Sequence, residues 1–294
     1  MGGHCVPKLV LTADDSQEVL VNAHGIFFTK QSDGWDTWNA NSSATLFRAD
    51  LDGSNATVSI ASDTSAERPP YNLVFDHEAA YWAGGSGKIY KIPHNSTHSE
   101  VLPSLRTSNN IGVGGGYVFF YTGMFADDPL LKSSTQGGTP SAFGMGSGNL
   151  QHLVGNAQDV YGIVNESPEW IKKVSVNGGQ VSALNIPAMR PDGLAMDRDN
   201  LYVRSWMDRV VVKVPLAGGQ AVKLADAMTS SMAVDETHVY MGGNDFVARV
   251  PIEGGPLEQV VNSWPNGQAL FAGIAGEYVY MIGLAGREIW RMHK

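Results

Sequence analysis

Between Arg190 and Ala227 the chain reads RPDGLAMDRDNLYVRSWMDRVVVKVPLAGGQAVKLADA, short apolar runs cut by polar turns. GLAM, LYVRS, VVVKVP and AVKLA are too short for helices and rich in Val, Leu and Tyr, so the pattern predicts four strands. The breaks between them are Asp197–Asn200, a loop around Trp206–Asp208, and Gly218-Gly219. Gly-Gly supplies the positive φ angles of a tight hairpin. A four-stranded meander of this kind is one blade of a β-propeller, provided that it repeats.

Two independent rulers show the repeat. The bulky residue of the second strand recurs as Phe27, Tyr81, Phe119, Tyr161, Tyr202, Tyr240 and Tyr280. The basic residue of the third strand recurs as Arg48, Lys91, Lys132, Lys173, Lys213, Arg249 and Arg291. Both give a period of about forty residues, the mark of a propeller once four strands fit each period. The pattern therefore predicts an all-β fold, a seven-bladed β-propeller of four-stranded antiparallel blades, spanning residues 1–294 as one domain.

The ends of the chain predict how the ring closes. IWRMHK at the end, read on into MGGHCVPKLVL at the start, restores the VVVKVPLAGGQAVKL pattern of the middle repeat. The N-terminal segment is expected to complete the last blade, with residues 8–12 lying beside 287–292 and leaving no open edge.

Composition narrows the partners. A net charge of −9 without a basic cluster speaks against nucleic acid and anionic membranes, and no run is long enough to span a bilayer. The single cysteine, Cys5, excludes an internal disulfide. It reads as a small apolar strand residue in preference to a lipoprotein maturation site. A surface rich in Gly, Asn, Ser and Thr and poor in Lys leans towards a secreted or periplasmic protein whose leader has been removed, with a cytoplasmic protein as the alternative and a monomer as the expected state. Asn41, Asn55, Asn95 and Asn165 begin glycosylation sequons, a pattern that an Asn- and Ser-rich chain also produces by chance.

The loops are unequal. Second-to-third and fourth-to-first strand loops share one face of a propeller, and here they collect Trp35, Trp38, Phe125, Trp170, Trp206, Phe246 and Trp264. The opposite face carries tight polar turns. Aromatics gathered on one face point to recognition, with packing between blades as the bland reading. The expected ligand-binding residues are Trp35, Trp38, Tyr71, Phe125, Trp170, Trp206 and Phe246.

First strands line the axis, so their opening residues ring its mouth: Gln17-Glu18, Tyr71-Asn72, Asn109-Asn110, Gln151-His152, Asp192-Gly193, Ser230-Ser231 and Leu270-Phe271. Carboxylates, amides and one imidazole there suit a polar ligand or a hard cation. A single imidazole excludes a four-His iron site, and no CxxC, HExxH, GxSxG or P-loop occurs. The plain alternative is that these residues cap strands and form turns.

Pro191-Asp192-Gly193-Leu194-Ala195-Met196-Asp197, followed by Asn200-Leu201-Tyr202-Val203, resembles the repeat of the gluconolactonase/regucalcin family. The resemblance implies a divalent cation on the axis, with Asp192 as a ligand, Asn109 as the amide ligand and Glu18 one position from the family's glutamate, and the oxygen-rich donors of the mouth favour calcium or magnesium. It covers about one blade, and that family is six-bladed. Two functions follow as expectations. The first is recognition of a small polar or cationic molecule, glycan or peptide on the aromatic face around the mouth. The alternative is a metal-assisted hydrolase, lactonase or lyase in which His152 or Glu18 moves the proton. A scaffold without a small-ligand site is the third reading.

Overall fold

The computed structural model describes residues 7–13, 16–31, 44–56, 58–63, 71–83, 88–96, 98–103, 110–121, 130–144, 151–164, 170–184, 186–187, 189–244, 246–261, 269–283 and 288–294. Among them twenty-eight strands run in chain order, and no helix is long and apolar enough to cross a membrane. Five sheets have four strands each, and a sixth has eight. The eight-stranded sheet is two meanders joined by one parallel bridge, Val21 to Gly273. Divided there, the described strands make seven antiparallel meanders: 16–63, 71–102, 111–142, 151–183, 193–226, 231–261, and 269–293 with Lys8–Thr12. The fold is a β-propeller.

The latch lies where the sequence places it. Lys8–Thr12 pairs antiparallel with the last strand, Lys8 opposite Arg291 and Thr12 opposite Glu288, with a register shift between Leu9 and Leu11. One meander is thus built from both ends of the chain.

Among the described residues the core is a ring of seams with no central hub. Seven apolar clusters each join two consecutive meanders, the last joining the seventh to the first. Every residue of the aromatic ruler is buried to within 2% in these seams. The tyrosines among them also carry a polar tip that needs a partner. Tyr81, Tyr202 and Tyr240 donate to Asp76, Asp197 and Asp235, each in the turn just before its own strand. That bond raises the affinity of each phenol for its proton, after the larger effect of burial.

The basic ruler has an equally local cause. Arg48 donates to the carbonyl of His94, Lys91 to Thr135, Lys132 to Val176, Lys213 to Ile252 and Arg291 to Leu51. Each cation leaves the third strand of one meander and clasps the turn after the third strand of the next. The Arg291 clasp runs from the seventh meander to the first, where Tyr280 donates to the same Leu51 carbonyl.

Candidate functional site

Neighbouring first strands touch one another round the axis and open at the loop face. Among the described residues, three of them open with a bulge that sequence pattern did not reveal. In the first meander two residues, Gln17 and Glu18, face one on the partner strand; in the second, Asn72 and Leu73; in the fourth, His152 and Leu153. The seventh meander has an extra residue at Ala272. Bulges gather at functional rims because they re-aim side chains that a regular pleat would commit to alternate faces. His152 takes a left-handed φ of 52° and keeps an exposed edge although protein surrounds much of the ring, while Leu153 beside it is buried.

Glu18 is more of a strut than an open ligand. Its Oε2 accepts the Leu73 N–H at 2.7 Å, which ties the first meander to the bulge of the second. Ser231 plays the same part later in the ring, its Oγ accepting the Phe271 N–H at 2.9 Å. Glu18 keeps some surface open yet is ringed by protein, and burial pushes its carboxyl up to about 7 against the opposing pull of the Leu73 N–H.

That shift has a testable sign. Folded Glu18 holds its proton to a higher pH than the unfolded chain, whose value is 4.5. Its contribution to stability is complete below the unfolded value and is lost as pH rises through about 7. Glu18→Gln keeps an acceptor for Leu73 and has no charge to desolvate. The variant should melt with wild type at about pH 4 and above it at about pH 8. His152, whose pKa is lowered by burial and then by Arg204, acts with the opposite sign but is present in both proteins. A melting gap that stays constant between those pH values would show that Glu18 gains no proton on folding.

Asp192 is held by a partner that the sequence reading missed. Arg204 Nη1 lies 2.7 Å from Asp192 Oδ1 and donates to the Thr229 carbonyl at 2.8 Å, while Nη2 donates to the Asp192 carbonyl at 3.1 Å. Gly193 makes this possible. It pairs with Arg204 across the two strands, and a Cβ there would stand 2.3 Å from Arg204 Nε. A glycine opposite a long cation inside a strand was the available signal. The other Asp192 oxygen accepts the Trp206 N–H at 2.7 Å and so fixes the next loop. His152 feels both charges, Arg204 lowering its pKa and Asp192 opposing.

The expected cation does not fit this donor set. A divalent ion at Asp192 would sit against a guanidinium, whose repulsion opposes it. One oxygen of Glu18 is taken up by the Leu73 N–H, and Asn109 lies outside the described residues. Among the described residues no three His, Cys, Asp or Glu side chains gather as a metal site.

The aromatic face divides. Trp35, Trp38, Phe125 and Trp264 lie outside the described residues, and of Tyr71 only the backbone position is described, at the start of the second meander. Trp170 is half-buried and packs into the seam between the fourth and fifth meanders, so it follows the bland reading. Trp206 stands 47% exposed. Phe246 is half-buried, and the two line one cavity of about 390 Å³ between the fifth and sixth meanders.

No family model matches the chain, and no curated protein matches it. Solved structures do. A streptogramin B lyase matches with a TM-score of 0.68 and 12% identity, over 98% of this chain and 97% of that one. A virginiamycin B lyase from Staphylococcus aureus matches with a TM-score of 0.69 and 13% identity, over 99% of each. A chain of a nidogen/laminin complex matches with a TM-score of 0.50 and 16% identity, over 71% of this chain and 91% of that one. Sequences this distant share a fold and nothing finer. By its meanders and by these likenesses, the chain is a β-propeller repeat protein.

Proposed function

We propose that this propeller is a recognition protein that binds a small polar molecule at the axial mouth, with His152, Asp192 and Arg204 as its contacts. One observation carries the reading: Arg204 crosses Gly193 to reach the mouth and is pinned there by Asp192 beside an exposed imidazole. A part-buried ion pair adds little to stability against its desolvation cost, so its use there points to specificity. The pair balances its own charge, which favours ligands that hydrogen-bond over ions. A ligand-observed NMR screen of monosaccharides, free amino acids and dipeptides tests this. Binders should lose at least about tenfold in affinity to His152→Ala and Arg204→Met, the size of a lost contact to a charged or buried polar partner. Binders indifferent to both changes would place recognition elsewhere.

A second reading rests on Glu18, whose proton affinity near neutrality suits acid–base catalysis. Two of the structural neighbours are lyases by their names. In that reading ionised Glu18, through Oε1, would take a proton from the carbon next to the one that bears the ester oxygen. The C–O bond would break with the ester leaving as a carboxylate, and an alkene would remain, while neutral His152 would donate its N–H to the ester carbonyl. Turnover of a lactone or cyclic ester that Glu18→Gln abolishes would favour it over recognition alone.

A further inference from the structure

The cavity between the fifth and sixth meanders is separate in its chemistry from the mouth. Trp206 and Leu257 line it with 47% and 44% of their surfaces exposed, and Phe246 forms part of its wall. Exposed apolar side chains scattered singly need no explanation, but a concave gathering of them marks a site. Arg209 and the Asp226 carboxylate also line it. Asp226 is already neutralised, both oxygens accepting from Lys223 at 3.1 and 2.9 Å. Arg209 has no ion pair among the described residues, so it is the uncompensated charge of the cavity.

The backbone at Arg209 is informative. Its φ is 58°, a left-handed position that Gly or Asn would occupy at less strain. A strained residue persists only where its surroundings over-determine it, and such residues cluster at functional sites. The surroundings here are rigid. Trp206 N–H is held by Asp192, Asp208 accepts from Arg190 N–H and from Ser205 Oγ at 2.7 Å each, and Ala227 N–H donates to the Arg209 carbonyl at 2.8 Å. The loop thus holds in place the backbone from which the indole and the guanidinium extend, which lowers the ordering cost of binding.

We propose that this groove binds a small amphipathic anion: a flat apolar body against Trp206, Phe246 and Leu257, carrying a carboxylate that pairs with Arg209. A cavity of about 390 Å³ suits a ligand of one or two fused rings. The planar fork of the guanidinium matches a carboxylate through two parallel N–H···O bonds, which orients the ligand on the apolar wall as well as attracting it.

The test uses 2-naphthoate and its uncharged counterpart 2-naphthamide, each titrated calorimetrically into the full-length protein. Wild type should bind 2-naphthoate saturably at one site and the amide more weakly. Arg209→Gln should weaken the acid about fivefold and leave the amide unchanged, the scale of a lost charged hydrogen bond. Trp206→Ala should weaken both about tenfold or more, as for an aromatic anchor. Arg209→Gly should lose the acid like Arg209→Gln while melting no lower than wild type, because glycine relieves the left-handed strain. His152→Ala should bind both probes as wild type does, so failure of the mouth reading and failure of this one are separable. The proposal is overturned if wild type shows no saturable binding of 2-naphthoate, if Arg209→Gln binds it equally well, or if His152→Ala abolishes binding that Trp206→Ala spares.

Discussion

Removal of residues 1–12 is expected to lower the melting temperature by roughly 10 °C and to broaden the transition. Lys8–Thr12 is the outer strand of the seventh meander, paired from Lys8–Arg291 to Thr12–Glu288. Val10 and Leu11 pack on the seam between the first and seventh meanders, and the adjoining Ala13 is fully buried in it. Half-burial of two aliphatic side chains is worth about 1.5–3 kcal/mol, and the lost ladder hydrogen bonds add to it. The deletion also bares the edge of the strand at Glu288–His293, a template for pairing with another chain. Thermal melts of full-length and truncated protein, with light scattering to detect association, would check both effects. A truncated protein that melts with full length and stays dispersed would mean that the seventh meander holds without its latch.

Gly273→Ala strikes the same closure from inside and should cost about 3–5 kcal/mol. Gly273 has a φ of 151°, and a Cβ there would meet the Val21 carbonyl oxygen at 2.0 Å and its carbon at 2.8 Å. These are backbone atoms of the first meander, so no side chain can swing aside. The Val21–Gly273 bridge is the hydrogen-bonded join between the two meanders, and the methyl would force it apart. Gly218→Ala provides the control. Its φ is 95° with nothing within 4 Å, so it should lose only about 1 kcal/mol from backbone strain. Denaturant unfolding of both variants separates the clash from the strain. Equal losses would show that the seam yields to the added methyl.

The resemblance that pointed to a metal is explained largely by turn chemistry. In PDGLAMDRDNLYV the second aspartate, Asp197, accepts from the Asp199 and Asn200 N–H groups and from the Tyr202 hydroxyl. Asp235 does the same for Thr237, His238 and Tyr240, and Asp76 for Glu78, Ala79 and Tyr81. A pattern that recurs in three meanders because it builds this turn carries no information about an axial ion. Asp192, the residue on which the metal expectation rested, meets Arg204 instead.

What the sequence alone determined is whatever depends on short stretches repeated in order. Strands, the Gly-Gly turns, the aromatic and basic rulers and the pairing of the two chain ends all follow from local spacing, because each meander repeats one local solution. The site depended on the third dimension. Whether Trp170 packs into a seam and Trp206 faces solvent is decided by how neighbouring meanders close on each loop. The bulges at Glu18 and His152 arise from register between strands, which side-chain pattern does not encode at a strand's first residues. Arg204 reaches Asp192 only because Gly193 lies opposite it across the pairing, and Arg209 joins Phe246 and Leu257 only because two meanders meet there. Local chemistry selects each strand and turn, whereas a site between elements is set by distances that exist only after the ring has closed.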